Sequence, residues 1–413
     1  MADNLLGGFR ALDLMDEKGF VCGKILAALG VEVIKVEKPG GDPARGIPPF
    51  LHNTPDPEES LYWFAFNTDK RSITLNLEVR QGQDLFRKLV EKADFVLESF
   101  VPGHMDSLGL GYEALRQVNP RIIMTSITSF GQKGPYAQYK GSDLIASAMG
   151  GVLLTTGDPD RPPVREGLDS IYFHAGGAAA LGTVIAHYHR EITGEGQQVD
   201  VSLQETTASR TSTNLVIWEF DKRLLKRSGS VRMLGARSFQ WIWQCKDGYV
   251  HWQYIRGKAG ATANRALSKW IDEDGLENPL NKVTNWDEFD LAAMSREELD
   301  THQEAIARLF MNYTKKELAE EGSKRDMDIT PIDCAADVLR NHQFEARSYW
   351  TDLEHPESGT ILTYPKYFFL SNQTENFVKR RAPLIGEDND EIYANEVGLS
   401  STEIAALKKA GVI

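Results

Sequence analysis

The stretch GFRALDLMDEKGFVCGKILAALGVEVIKVEKPGGDP (residues 8–43) decides the fold class. Phe9 to Leu14 form a short apolar run, Lys24 to Leu29 carry helical spacing, and Val31 to Val36 alternate as VEVIKV before a KPGGDP turn. Strand, helix and strand on such short connections make a βαβ unit, whose two strands lie parallel beneath a covering helix. Outward from this stretch the pattern returns. Ser72 to Leu77 reads as a strand, Gly82 to Lys92 as an amphipathic helix, and Asp94 to Glu98 and Arg121 to Ser126 as further strands. The expected fold class is therefore α/β, with a Rossmann-like large domain. No GxGxxG follows the first strand, where the chain offers LDLMDEKGF instead, so a dinucleotide bound in the usual way is not supported.

Further along, FHAGGAAALGTVIAHYH (173–189) is small and apolar, fit for a helix packed closely on its neighbours, and GEGQQVDVSLQE (194–205) supplies a turn and a strand. The basic, Gly-punctuated DKRLLKRSGSVR (221–232) reads as an interdomain connection. Beyond it SFQWIWQCKDGYVHWQYI (238–255) alternates around a DG turn, a hairpin signature, and Asp287–Ala319 and Glu391–Ala410 are charged and helical in period. The expected organisation is a large domain over 1–210, a small α+β domain over 225–325, and a return to the large domain over 330–413. Trp241, Trp243, Trp252 and Tyr254 read as the small domain's core or as the wall of a pocket for a bulky apolar acid.

A length of 413 residues with 41% hydrophobic and 25% charged residues fits a globular protein of two domains. No run approaches the ~18 apolar residues of a membrane helix, and the opening residues lack a signal peptide's basic-then-apolar order, so a cytoplasmic protein without a membrane partner is expected. The net charge of −13 disfavours nucleic acid, which is held through many Lys and Arg contacts. The three cysteines, Cys22, Cys245 and Cys334, are far apart and have no histidine at ligand spacing, so no metal is expected.

Seven segments in order resemble the class III CoA-transferase family, the formyl-CoA and carnitine CoA-transferase group. They are LGVEVIKVEKPGGDPAR (29–45), FNTDKRSITLNL (66–77), ADFVLESFVPGHMDSLGL (93–110), SFGQKGPYA (129–137), GLDSIYFHAGGAAALG (167–182), GEGQQVDVSLQE (194–205) and RAPLIGEDNDEI (381–392). The resemblance implies CoA transfer between carboxylic acids, with CoA and acyl-CoA as substrates and no prosthetic group. It aligns Asp169 with the family's nucleophilic aspartate, which passes through an acyl anhydride to an aspartyl-CoA thioester. From its spacing alone, Asp169 also reads as the N-cap of the helix that follows. The flanking Gly167 would let the thioester approach the backbone.

The phosphates of CoA call for basic groups near backbone N–H donors. Arg45 and Lys140 stand at the family's ligand-binding positions, the Lys70–Arg71 pair is a further candidate, and the turn at Lys38 and the segment from Ser99 and Phe100 to Gly103 would border the nucleotide. Lys18 stands where relatives place a polar group near the acyl end, and could hold the second carboxylate of a dicarboxylic acid. Val101 replaces the arginine of an NFRPG-like loop, and Gly257–Ala261 (GKAGA) only partly stands in for a glycine-rich flap. His174 and His187 read as packing residues.

Two alternatives remain at this stage. One is an α-methylacyl-CoA racemase, which would need a histidine where Gly141-Ser142-Asp143 has Ser142; the other is a non-catalytic partner of a homologous subunit. Family members form intertwined dimers, so a homodimer or a hetero-oligomer with a homologous chain is implied. Lys18 and the aromatic middle domain suit succinyl-CoA as donor and an aryl- or alkylsuccinate as acceptor, as in benzylsuccinate CoA-transferase subunits.

Overall fold

The computed structural model describes residues 4–234, 237–372, 374 and 377–413. In the first half the elements run β1 (Arg10–Leu14), α1 (Phe20–Ala28), β2 (Glu32–Glu37), α2 (Leu61–Phe66), β3 (Lys70–Thr74), α3 (Arg80–Val90), β4 (Phe95–Glu98), α4 (His104–Ser107), α5 (Tyr112–Val118), β5 (Ile123–Thr128), α6 (Asp143–Met149), α7 (Ser170–Thr193), β6 (Gln198–Ser202), α8 (Leu203–Arg210) and α9 (Ser212–Asp221). The six strands form one parallel sheet in the order β3-β2-β1-β4-β5-β6. Chain direction across the sheet reverses between β1 and β4, where Leu12 faces Ile34 on one side and Val96 on the other. The crevice at the carboxyl ends of these two strands is where an open α/β sheet binds ligands.

Both faces of the sheet are covered, so its central strands carry apolar residues on both sides. Leu12, Ile34 and Val96 pack against α3 and α5 on one face, while Ala11, Val33, Phe95 and Leu97 pack against α1 and α7 on the other. The small residues of α7 serve this packing. A Cβ at Gly176 would lie 2.7 Å from Val21 Cβ and 3.1 Å from the Cys22 amide nitrogen, so α1 and α7 can approach this closely only over glycine. Thr183 of α7 hydrogen-bonds Thr125 of β5 at 2.7 Å, and Gly194, at φ +80°, ends the helix.

The chain divides into two compact units, 4–153, 165–224 and 343–413 in the first and 154–164 with 225–342 in the second. These bounds differ from those expected, because 154–164 joins the second unit and the return falls at 343. The second unit holds β7 (Val231–Leu234), β8 (Arg237–Gln240), β9 (Ile242–Cys245), β10 (Gly248–His251), α10 (Lys258–Glu273), α11 (Arg296–Met311), α12 (Lys315–Lys324), β11 (Thr330–Ile332) and α13 (Ala335–Leu339). The expected DG hairpin is β9–β10, with Cys245 opposite Gly248. Trp243, Trp252 and Tyr254 are buried with Phe310 and Trp286, so these three form the unit's core. The single helical stretch expected over 287–319 is two helices, because Thr314 and Glu317 form a capping box that starts α12 afresh. Gly257 opens α10, so GKAGA is a helical first turn and not a flap.

A short α14 (His342–Ala346) leads back to the first unit, followed by the hairpin β12 (Trp350–His355) and β13 (Thr360–Pro365), then α15 (Asn389–Asn395) and α16 (Ser401–Lys409). This returning segment closes the β3 edge of the sheet. Asp388 and Asn389 side chains accept from the amides of Ser72 (2.9 Å) and Thr74 (2.8 Å), the Asp388 amide donates to Ser72 O (2.9 Å), and Tyr393 Oη donates to Thr74 O (2.7 Å). Side chains and one amide thus take the place of a seventh strand.

Candidate active site

At the reversal point the loops after β1 and β4 are clamped together. The Asp16 amide donates to Ser99 Oγ at 2.8 Å, and that hydroxyl donates back to the Asp16 carboxylate at 2.7 Å. Below them Lys35, fully buried, donates to Met15 O and pairs with Asp42 at 3.2 Å, which ties the 38–45 turn to the β1 loop. Between these loops lies a cavity of about 490 Å³ lined by Leu14, Asp16, Lys38, Phe100 and His104 among others. A second cavity, about 380 Å³, opens on the other side of the 99–104 loop and is lined by Glu98, Val101, Gly103, Tyr112 and Lys133 among others. Lys38 and Lys133 are exposed cations at the two cavities.

Burial pushes the Glu98 carboxyl up to about 7. Glu98 is 3% exposed and accepts from the Phe100 amide at 2.8 Å, so it sets the start of the loop between the cavities. A carboxyl whose folded value lies above its ordinary one adds stability that is complete below about pH 4.5 and lost as pH rises through about 7. Glu98→Gln should therefore be more stable than the native chain at pH 8, by up to roughly 3 kcal/mol, and should flatten the dependence between pH 5 and 8. Thermal melts across that range check this; parallel profiles for the two proteins would contradict it.

The expected phosphate ligand Arg45 is a correction. It is 1% exposed, with Nε and Nη2 on Glu37 (2.7 and 2.9 Å), Nη1 on Glu58 (2.7 Å), a further bond to Pro383 O (3.0 Å), and its guanidinium 3.9 Å from the Trp63 ring. Desolvating a charge this deeply is tolerated only with such a full set of partners, and the set leaves no donor for a ligand. Lys70 is likewise buried on Asp13 (2.8 Å) and Asn67 (2.9 Å), and Arg71 pairs with Glu32, Asp388 and Glu391. The Lys18 ammonium pairs with Asp16 rather than standing open. Lys140 is exposed before α6 and lines neither cavity.

Asp169 stands at the N-cap position of α7, yet its carboxylate makes no cap bond. Asp143 of α6 supplies that bond: its Oδ1 accepts from the Ile171 amide at 2.9 Å, and its Oδ2 accepts from Arg165 Nε at 3.0 Å. The other edge of Arg165, Nη2, donates to Asp169 Oδ1, and Tyr62 Oη donates to Asp169 Oδ2 at 3.4 Å. Burial, then the neighbouring Asp169 charge, pushes the Tyr62 phenol up, so it stays a donor. Asp169 is thus a partly buried carboxylate, its side chain 28% exposed, at the positive end of a 24-residue helix and facing a cation.

The preceding turn holds Leu168 at φ +61° with 78% of its surface exposed, a left-handed conformation that costs a branched residue about 1–2 kcal/mol. A Cβ on the exposed Gly167 would meet nothing within 4 Å, which leaves approach to this turn open. The charge of Glu17, in the β1–α1 loop, reaches both Tyr62 and Tyr172. His187 is packed on Phe9 (4.4 Å) and bonded to Arg190 (2.9 Å), whereas His174 is exposed.

A family model described as CoA-transferase family III matches residues 6–389. The chain belongs to that family. It is 34% identical to the Thauera aromatica succinyl-CoA:(R)-benzylsuccinate CoA-transferase subunit BbsE, over 98% of this chain and 97% of the relative. It is also 32% identical to the succinyl-CoA–D-citramalate CoA-transferase of Chloroflexus aurantiacus (96% and 94% covered) and 30% identical to the formyl-CoA:oxalate CoA-transferase of Streptomyces coelicolor (100% of both). Among solved structures, a CAIB/BAIF family protein from Brucella suis superposes with a TM-score of 0.82 at 28% identity, covering 95% of this chain and 100% of that one. The protein is a CoA-transferase, and CoA thioesters are the substrates of this class.

Arg165 and Tyr62 as partners of Asp169, and Asp143 as the anchor of Arg165, are not evident from the sequence. The four-residue step from Arg165 to Asp169 is not a helical pair, because the segment before Ser170 is irregular, so their contact left no periodic signal in the sequence. Ser142 caps α6 by accepting from the Ile145 amide (3.4 Å), a role without acid/base chemistry. Among the described residues no group of histidine, cysteine and carboxylate side chains is arranged to hold a metal, and no helix is long and apolar enough to cross a membrane.

Proposed function

We propose that this CoA-transferase takes CoA from succinyl-CoA and passes it to an aryl- or alkyl-substituted succinate through an aspartyl-CoA thioester on Asp169. The observation that carries the covalent route is the solvent-accessible Asp169 carboxylate, relieved of capping by Asp143 and presented by a strained turn. Asp169 attacks the thioester carbonyl to form a mixed anhydride and release CoA thiolate; the thiolate then adds at the aspartyl carbonyl and expels the donor acid as its carboxylate. The acceptor carboxylate repeats these steps in reverse and leaves as its CoA thioester. Lys38, Phe100 and the Ser99 clamp border the space proposed for the nucleotide, with Lys133 as a second cation beside the neighbouring cavity.

The acids are supported by the relatives, two of which are named for succinyl-CoA and a substituted dicarboxylic acid. Lys18 would serve the distal carboxylate only after leaving Asp16. Polyanionic CoA thioesters do not cross bilayers, which supports a cytoplasmic place of action. Apolar side chains exposed along α7 (Leu181, Ile185, Tyr188, Ile192) and α9 (Leu215, Trp218, Phe220) support assembly with a second chain, identical or homologous, in an intertwined dimer. A rate panel over CoA donors and acids, run on this chain alone and with its homologous partner, tests the reading. Mass spectra of the enzyme with succinyl-CoA alone should show a gain of one CoA less one water; labelling confined to the partner would transfer catalysis to that chain.

A further inference from the structure

We propose that Arg165 is a carboxylate-exchange arm, which holds Asp169 in the free enzyme and the reacting carboxylate of the donor or acceptor acid once Asp169 is loaded. This rests on Asp169 being the nucleophile. The guanidinium has two edges with different fates. Its Nε is anchored 3.0 Å from Asp143, whose side chain is 6% exposed and fixed by the Ile171 amide. Its Nη2 lies on Asp169, and the arginine side chain is 44% exposed, so the guanidinium is accessible from solvent.

Charge conservation gives the exchange its logic. Moving CoA from one acid to another leaves the number of free carboxylates constant. When CoA thiolate adds to the aspartyl carbonyl of the mixed anhydride, a C–S bond forms, the C–O bond to the donor breaks, and its electron pair leaves on the donor carboxylate. Asp169 is then a neutral thioester, a poor partner for a guanidinium, and the released acid is the new anion beside it. When the acceptor carboxylate attacks that thioester, CoA thiolate departs; the thiolate then attacks the acceptor's acyl carbon and frees Asp169 as a carboxylate again. One carboxylate therefore faces Nη2 in the free enzyme and in the thioester with its bound acid, and the cation is unpaired in neither.

The test follows the acid rather than overall turnover. Succinate should bind Asp169→Asn about tenfold or more tightly than it binds the native free enzyme, because the neutral side chain releases Arg165; equal or weaker binding by calorimetry overturns the exchange. In rapid-quench experiments on native and variant enzyme, each already loaded from succinyl-CoA, Arg165→Gln should raise the acceptor concentration for half-maximal discharge by roughly 10- to 100-fold. Arg165→Lys should recover part of this. Slower loading with an unchanged acceptor dependence would reduce Arg165 to a holder of Asp169. Failure of the native enzyme to form any adduct would instead remove the nucleophile on which the proposal stands.

Discussion

Asp169→Ala and Asp169→Asn are each expected to lower the transfer rate by roughly 10⁴-fold or more, as removal of a covalent nucleophile does elsewhere. The fold should survive, because Asp143 and not Asp169 caps α7, and the cavities at the β1 and β4 loops are lined by other residues. Circular dichroism and CoA binding should thus remain near native while steady-state transfer disappears. In the native enzyme incubated with acyl-CoA, hydroxylamine should convert Asp169 to a hydroxamate and borohydride should reduce it to the alcohol. Thioesters and anhydrides react in this way, and a free carboxylate does not. A variant with near-native turnover, or an unmodified Asp169 in protein that is demonstrably transferring CoA, would end its assignment as nucleophile. The racemase alternative would instead place solvent deuterium at the substrate's α-carbon.

The largest effect on stability is expected at Arg45. Removing one partner of a buried ion pair leaves the other charge uncompensated, a loss of about 3–5 kcal/mol. Arg45→Ala strands Glu37, whose side chain is fully buried, and also empties the stack on Trp63. The melting temperature should fall by roughly 10 °C. Arg45→Lys should recover little of this, since an ammonium cannot span Glu37, Glu58 and Pro383 O at once. Unchanged melting with CoA affinity weakened tenfold would return Arg45 to the phosphate role its position in the sequence suggested.

The contrast between these two residues shows what the sequence can carry. The parallel sheet was legible because each βαβ unit writes itself locally: β1, α1 and β2 fall within residues 10–37, with apolar runs of the right length. Asp169 stood out because it lies in a contiguous motif. Arg45 was misplaced because, besides Glu37 eight residues back, the partners that complete its burial are scattered, Glu58 thirteen residues on and Pro383 more than three hundred residues on. Asp169 was read as cap or nucleophile for a similar reason, because the residue that relieves it of capping comes from a different helix. The helix break before α12 was written locally, in Thr314 and Glu317, but charged residues on either side continued the same period and hid it.

The closure of β3 by the returning segment bears on the order of events at the ribosome. Asp388 is translated 316 residues after the Ser72 amide that it caps. At ordinary elongation rates of roughly 5–20 residues per second, that delay lasts roughly 15–60 s. Throughout it the nascent sheet presents an open, unpaired strand to its surroundings, a template for intermolecular pairing. The newborn chain is therefore most exposed to aggregation during synthesis, and slow decoding between the codons for Ser72 and Asp388 should lower soluble yield without altering a single residue.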